Sequence, residues 1–182
     1  MELESTLIKD LFVINPTVHL DGRGYFFESY KKSFIKNNFP EMNFIQDNES
    51  KSVKGVLRGL HYQTPPKSQT KLVRVIVGEI QDLVVDIRQN SDTYGVHYSI
   101  NLSADNKKQL LVPKGFLHGF LVLSQIAIVN YKVDEYYSGQ HDDGVMFNDP
   151  ILNINWQLPL DQINVSKKDS SLQNFVKFES PF

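Results

Sequence analysis

The stretch 71-KLVRVIVGEIQDLVVDI-87 sets the fold class of this chain. Leu72, Arg74, Ile76 and Gly78 share one parity, and Val73, Val75 and Val77 share the other. Both parities are largely apolar, which predicts a strand covered on both sides, with Arg74 needing a partner or a wet cavity. Ile80 to Ile87 reads as a second strand, broken near Asn90-Ser91. Asp82 and Asp86 fall on one side of that strand by spacing. There they could orient buried histidines, bind lysines or sit at a polar rim. A glycosidase carboxylate pair is a further use of such residues, but strand spacing does not define their separation across a sugar.

Working outward, the same grammar of short strands and turn signals recurs. Ile8 to Val18 is extended and interrupted by Asn15-Pro16. Asp21-Gly22-Arg23-Gly24 is a turn, after which Tyr25 to Tyr30 resumes an aromatic strand. Lys32 to Asn38 reads as a short helix ended by Pro40, and 65-PPKSQ-69 as a loop. Val96 to Leu102 is a strand, and Ser103 to Lys108 a polar turn. Leu110 to Pro113 then leads into 115-GFLHGF-120, and Ile126 to Tyr131 is again strand-like. The tail beyond Asp149-Pro150 carries short extended pieces and a terminal helix from Ser170 to Val176. Many short strands with little helix predict an all-β, closed or sandwiched antiparallel architecture. There is no βαβ rhythm and no glycine-rich loop after an early strand, which argues against a dinucleotide fold.

The 182 residues fit one domain, 1–182, with enough core to stand without staples. Hydrophobic content of 41% and charged content of 22% are those of an ordinary globular protein. The net charge is -2 and no lysine-arginine block occurs, so no nucleic-acid partner is expected. Cysteine is absent, which removes disulfides, thiolate metal sites and cysteine nucleophiles together. The opening MELESTLIKDLFVINPTV lacks the basic start and apolar core of a secretory signal, and no apolar run approaches membrane-spanning length. The expectation is a cytoplasmic protein with no membrane partner.

The chemistry centres on 55-GVLRGLHYQ-63. Arg58 and His61 place a fixed cation and a titratable base three residues apart on a strand-like run. That suits a site that holds an anion and moves a proton beside it. A satisfied structural histidine is the alternative. Lys71 begins one strong strand and Tyr131 ends another, with Tyr136-Tyr137 at the following turn. Histidine is a good base near neutral pH. Tyrosine can deliver a proton, and lysine or arginine can stabilise a developing anion. Together these groups suit proton abstraction next to a carbonyl. Lys71 as a solvated strand end and Tyr131 as amphipathic core remain open readings. The five histidines (His19, His61, His97, His118, His141) form no H-x-H or H-x-x-x-H pair, so no metal site is expected.

Several segments carry a specific likeness. They are 21-DGRGYFFESY-30, 45-IQDNESKSVKGVLRGLHYQTPP-66, 69-QTKLVRVIVGEIQDLVVDIRQNSDTYG-95, 101-NLSADNKKQLLVPKGFLHGF-120, 131-YKVDEYY-137 and 147-FNDP-150. In this order and spacing the chain resembles the dTDP-4-dehydrorhamnose 3,5-epimerase family of deoxysugar biosynthesis. The resemblance implies a cupin-type jelly roll with short peripheral helices and a two-fold homodimer. It implies cofactor-free and metal-free epimerisation of a dTDP-linked 4-keto-6-deoxyhexose. By the same resemblance His61 looks like the general base, Tyr131 the general acid, Asp169 the carboxylate that orients His61, and Lys71 the group beside the C4 oxygen. Arg23, Glu28, Gln46, Asp47, Asn48, Arg58 and His118 match nucleotide-sugar contacts, as do Asp142 and Lys168. Tyr137 matches the aromatic that stacks on thymine. Three positions depart from the family pattern: Asp142 stands for a common glutamate, Asp143 for an arginine and Phe147 for a tryptophan. Two neighbouring readings share most of this machinery: an epimerase acting at C3 or C5 only, and a noncatalytic nucleotide-sugar binder.

Overall fold

The computed structural model describes residues 1–182 and is predominantly β-strand with a few short helices. The chain opens with β1 (Glu2–Ser5), β2 (Phe12–Asn15) and a small hairpin of β3 (His19–Asp21) and β4 (Gly24–Phe26). The helix α1 (Lys32–Asn38) follows, where the sequence predicts it. Then come β5 (Gln46–Val53), β6 (Leu57–Gln63), β7 (Lys71–Val77) and β8 (Glu79–Asp86). The remaining strands are β9 (His97–Ser103), β10 (Gln109–Val112), β11 (Phe116–Val122), β12 (Ile126–Val133) and the short β13 (Asp142–Gly144).

Two antiparallel sheets result. One has the order β1-β2-β10-β7-β12-β5 and the other β13-β6-β11-β8-β9. Their inner faces meet in one apolar cluster. Val13, Val73, Val75, Leu110 and Val129 come from the first sheet, and Ile80, Val84, Leu102, Phe116 and Phe120 from the second. Side-chain alternation, with a register shift between Arg58 and His61 in β6, puts Leu57, Leu60, Leu83, Val85, Leu117 and Leu121 on the outer face of the second sheet. There the tail covers them with Trp156 and Phe178. The outer face of the first sheet is covered near α1, where Ile35 packs with Ile14, Leu72 and Leu111.

Several expectations change. The strand that begins at Lys71 ends at Val77, because Gly78 takes φ +80 and turns the chain into β8. It is covered on both sides only over its first half, since Ile76 and Val77 are 36% and 44% exposed. The extended run from Ile8 contributes only Phe12–Asn15 as strand, and the aromatic run from Tyr25 pairs only as far as Phe26. The single helix expected over Ser170 to Val176 is two 3-10 turns, Asp169–Ser171 and Phe175–Lys177. Leu172, with φ -65 and ψ 159, is extended and separates them. Gln46–Val53, polar enough to escape notice as a strand, pairs along its whole length with β12. Asp82 and Asp86 lie at no rim: both are fully buried.

Candidate active site

A cavity of about 540 Å³ opens between the two sheets. His61 and Arg58 enter it from β6, and His118 from the adjacent β11, whose Cα lies opposite that of His61. Lys71 and Tyr131 enter from β7 and β12 of the facing sheet. The tail closes one side with Asn164, Ser166, Lys168 and Asp169. Arg58, His61, Lys71, His118, Tyr131, Lys168 and Asp169, distant in sequence, therefore share one chamber.

The close approach of β6 and β11 depends on glycine. Gly59 has φ +121, and a Cβ there would stand 2.6 Å from the Gly119 Cα and 2.7 Å from the His118 carbonyl oxygen. No larger residue fits between the two histidine-bearing strands.

His61 is held by Asp169, whose Oδ1 lies 2.8 Å from His61 Nε2. The backbone N–H of Gly59 donates to the other carboxylate oxygen at 3.2 Å. The Asp169 N–H donates in turn to Ser166 Oγ at 3.0 Å. Burial opposes ionisation of Asp169, but the hydrogen bonds and charge of His61 and the Gly59 and Ser166 bonds outweigh it, leaving the carboxyl below its ordinary range. With Nε2 committed to Asp169, Nδ1 is the nitrogen free to take a proton.

Burial raises the Tyr131 phenol above its ordinary value; the charge of Arg58 works against this and that of Asp142 adds to it. The group is therefore neutral near pH 7, and a phenolate formed there would be stabilised by Arg58. Burial lowers the Lys71 ammonium to about 8, while Asp142 and then Asp82 favour its charged form. Arg58 is braced from behind, its Nε donating to Ser52 Oγ at 3.1 Å.

Gln46, Asn48, Tyr137 and Asp142 lie next to residues of the chamber but outside its lining. Asn48 lies opposite Tyr131 in the β5–β12 register, and Gln46 donates to Asn48 Oδ1 at 2.7 Å. At the mouth, Asp142 Oδ2 accepts from Lys168 Nζ at 2.5 Å and from the Tyr137 hydroxyl at 2.9 Å. Arg23, Glu28 and Asp47 do not line the cavity. Arg23 pairs with Asp21 on the exposed β3–β4 hairpin, and Glu28 with Lys31. Asp47 pairs with Lys132 on the opposite face of β5. Ser50 and Asn164 also line the chamber, and no motif in the sequence marks them. No three His, Cys, Asp or Glu side chains gather as a metal site.

The fold and chamber define a two-sheet β protein with a histidine–carboxylate pair on one wall and a tyrosine on the other. The chain belongs to the dTDP-4-dehydrorhamnose 3,5-epimerase family, whose model matches residues 5–177. It is similar to the dTDP-4-dehydrorhamnose 3,5-epimerase of Methanothermobacter thermautotrophicus, 48% identical over 165 residues and covering 90% of this chain and 89% of the relative. Among solved structures, the dTDP-4-dehydrorhamnose 3,5-epimerase of Elizabethkingia anophelis superposes with a TM-score of 0.93 at 44% identity, covering 97% of each chain. The dTDP-6-deoxy-D-glucose-3,5-epimerase of Legionella pneumophila, solved in complex with dTDP-4-keto-L-rhamnose, gives 0.93 at 40% identity, covering 98% of this chain and 94% of that one.

Proposed function

We propose that this chain converts dTDP-4-dehydro-6-deoxy-D-glucose to dTDP-4-dehydro-L-rhamnose. The observation that carries the reading is that a carboxylate-held histidine and a buried tyrosine face one cavity from opposite sheets. His61, backed by Asp169, stands on β6, and Tyr131 stands on β12 across the same cavity. Epimerisation needs a proton removed from one face of a ring carbon and returned to the other.

The ketone at C4 acidifies the hydrogens on C3 and C5, because either carbanion delocalises onto the C4 oxygen as an enolate. His61 Nδ1 takes the proton, and the electron pair of the C–H bond moves into the enolate. The Lys71 ammonium stabilises the oxyanion. Tyr131 protonates the carbon from the opposite face, and the C4 carbonyl re-forms. Each inversion leaves His61 protonated and Tyr131 as phenolate, and exchange with solvent resets both. The reaction is redox-neutral. Arg58 and Arg23 serve the diphosphate through directional guanidinium bonds, and His118 contacts the nucleotide sugar.

The same reading makes the two sheets a cupin-type jelly roll forming one domain, with a cytoplasmic location and no metal requirement. It makes the protein a homodimer. Leu20, Tyr25 and Phe26 on the β3–β4 hairpin are 81%, 58% and 69% exposed, which supports a partner at that hairpin. Arg23 and Glu28 then complete the neighbouring subunit's site, with Tyr137 against the base.

The test incubates the protein with the dTDP-linked substrate in D₂O and follows C3 and C5 by NMR. Deuterium and inversion at both positions are expected. Exchange at one centre only identifies a single-centre epimerase. Binding without exchange identifies a noncatalytic nucleotide-sugar protein.

A further inference from the structure

Asp82 lies on β8, with its Cα opposite that of Phe120, which lines the cavity. Its side chain is fully buried. One oxygen, Oδ1, sits 2.8 Å from His118 Nε2. The other, Oδ2, is buried without any hydrogen-bond partner. A buried carboxylate oxygen without a donor is costly and calls for a compensating charge. Lys71 faces the same chamber and takes part in none of the chain's ion pairs. Lys71 and His118 also line a second, smaller cleft together. A carboxylate oxygen without a donor and a cation without an ion pair thus lie on either side of one histidine.

We propose that Asp82 is a positioning residue for the reaction: it fixes His118 with one oxygen and, through the charge on the other, keeps Lys71 an ammonium in a desolvated site. The inference rests on the epimerase reading and adds to it a residue that touches no substrate. Lys71 works only while charged, because a neutral amine cannot stabilise an enolate oxygen as a cation does. Burial pushes it toward neutrality, and the carboxylates of Asp142 and Asp82 push back. Asp142 is shared with Lys168 and Tyr137 at the mouth, whereas Asp82 is shielded from solvent. Arg58, His61 and His118 also face Lys71 from the five-stranded sheet, Tyr131 from β12, and Lys168 and Asp169 from the tail. Among these the cations oppose its charge, and Asp169 is committed to His61 and the Gly59 N–H, so Asp142 and Asp82 are the carboxylates that favour it.

Asp82→Asn keeps the shape and removes the charge. The Lys71 side chain is followed by NMR titration in unligated wild-type and D82N protein carrying labelled lysine, alongside pH profiles of kcat/KM. Lys71 is expected to titrate about one pH unit or more lower in D82N, consistent with loss of a nearby opposite charge. The alkaline limb should move with it, and turnover should recover at lower pH. A purely structural role would lower the rate at every pH and leave the Lys71 titration in place, which overturns the proposal. Absence of turnover in wild type would overturn the epimerase reading instead, and the Lys71 titrations would still decide the role of Asp82. If D82N does not fold, His118→Asn keeps the Asp82 charge and removes its hydrogen bond. Lys71 should then titrate at or above its wild-type value, and a fall of one unit or more overturns the proposal.

Discussion

Asp169 reaches back across 108 residues of chain to hold His61, with 2.8 Å between carboxylate Oδ1 and ring Nε2. Asp169 is itself almost wholly buried, so the imidazole is oriented by a group that water does not screen. The first prediction follows. His61→Asn retains the fold and lowers kcat by roughly 10²-fold or more. Asp169→Asn is less severe, because the base remains but its orientation and charge support are weakened. The Asp169 carboxyl is held below its unfolded value, so the stability it contributes is present above the ordinary carboxylate range and is lost as pH falls through its lower, native value. Thermal melts of wild type and D169N should therefore converge in acid. Wild-type turnover in folded H61N would remove His61 from the mechanism.

Tyr131→Phe separates the two proton transfers. With the base intact, deuterium should still enter from solvent on the His61 face, while inversion should fall at least about 10²-fold. NMR of the recovered sugar reads both quantities in one sample. Undiminished inversion in Y131F would assign the acid to another group.

The alkaline loss of activity should begin near pH 8, where Lys71 discharges. It should not come from unfolding. A lysine whose native pKa is lowered costs the fold most below that value, where the folded chain must carry the buried charge. That cost shrinks as pH rises from about 8 towards the ordinary lysine value of 10.5. Activity and melting temperature measured side by side should part company above pH 8, and a parallel fall would point to unfolding instead.

Arg23 lies outside the cavity of its own chain. If it serves the partner, Arg23→Ala and His61→Asn should each be weak alone and recover on mixing. Random reassortment makes half the dimers mixed, each with one complete site, so about a quarter of wild-type activity should return. Purely additive activity after subunit exchange would contradict a shared site.

In the proposed mechanism Lys71 supplies the positive charge at the C4 oxygen, so turnover should survive exhaustive chelation. Elemental analysis of active protein should find no stoichiometric transition metal. One tightly bound metal per chain, with activity lost on its removal, would defeat this expectation.

The sequence by itself determined the strand-rich class and much of the local grammar. β-branched runs such as 71-KLVRVIV-77 carry their own strand signal, and the helix at Lys32–Asn38 ends where Pro40 allows. It also carried the order of motifs that places the chain in its family. What lies beyond local pattern belongs to the tertiary structure. Gln46–Val53 is a strand because β12 pairs with it and one of its faces lines a polar chamber; its own side chains carry no apolar alternation. Asp82 and Asp86 have the same spacing signal but separate fates. Asp82 is bonded to His118 at the chamber, and Asp86 is clamped by Arg88, Ser91 and Thr93 and held at about 2. Which charges meet, and how far from water, depends on contacts between residues tens to a hundred positions apart. No periodicity along the chain encodes that distance, and it is what orients His61 against Asp169, lowers the Lys71 ammonium and raises the Tyr131 phenol.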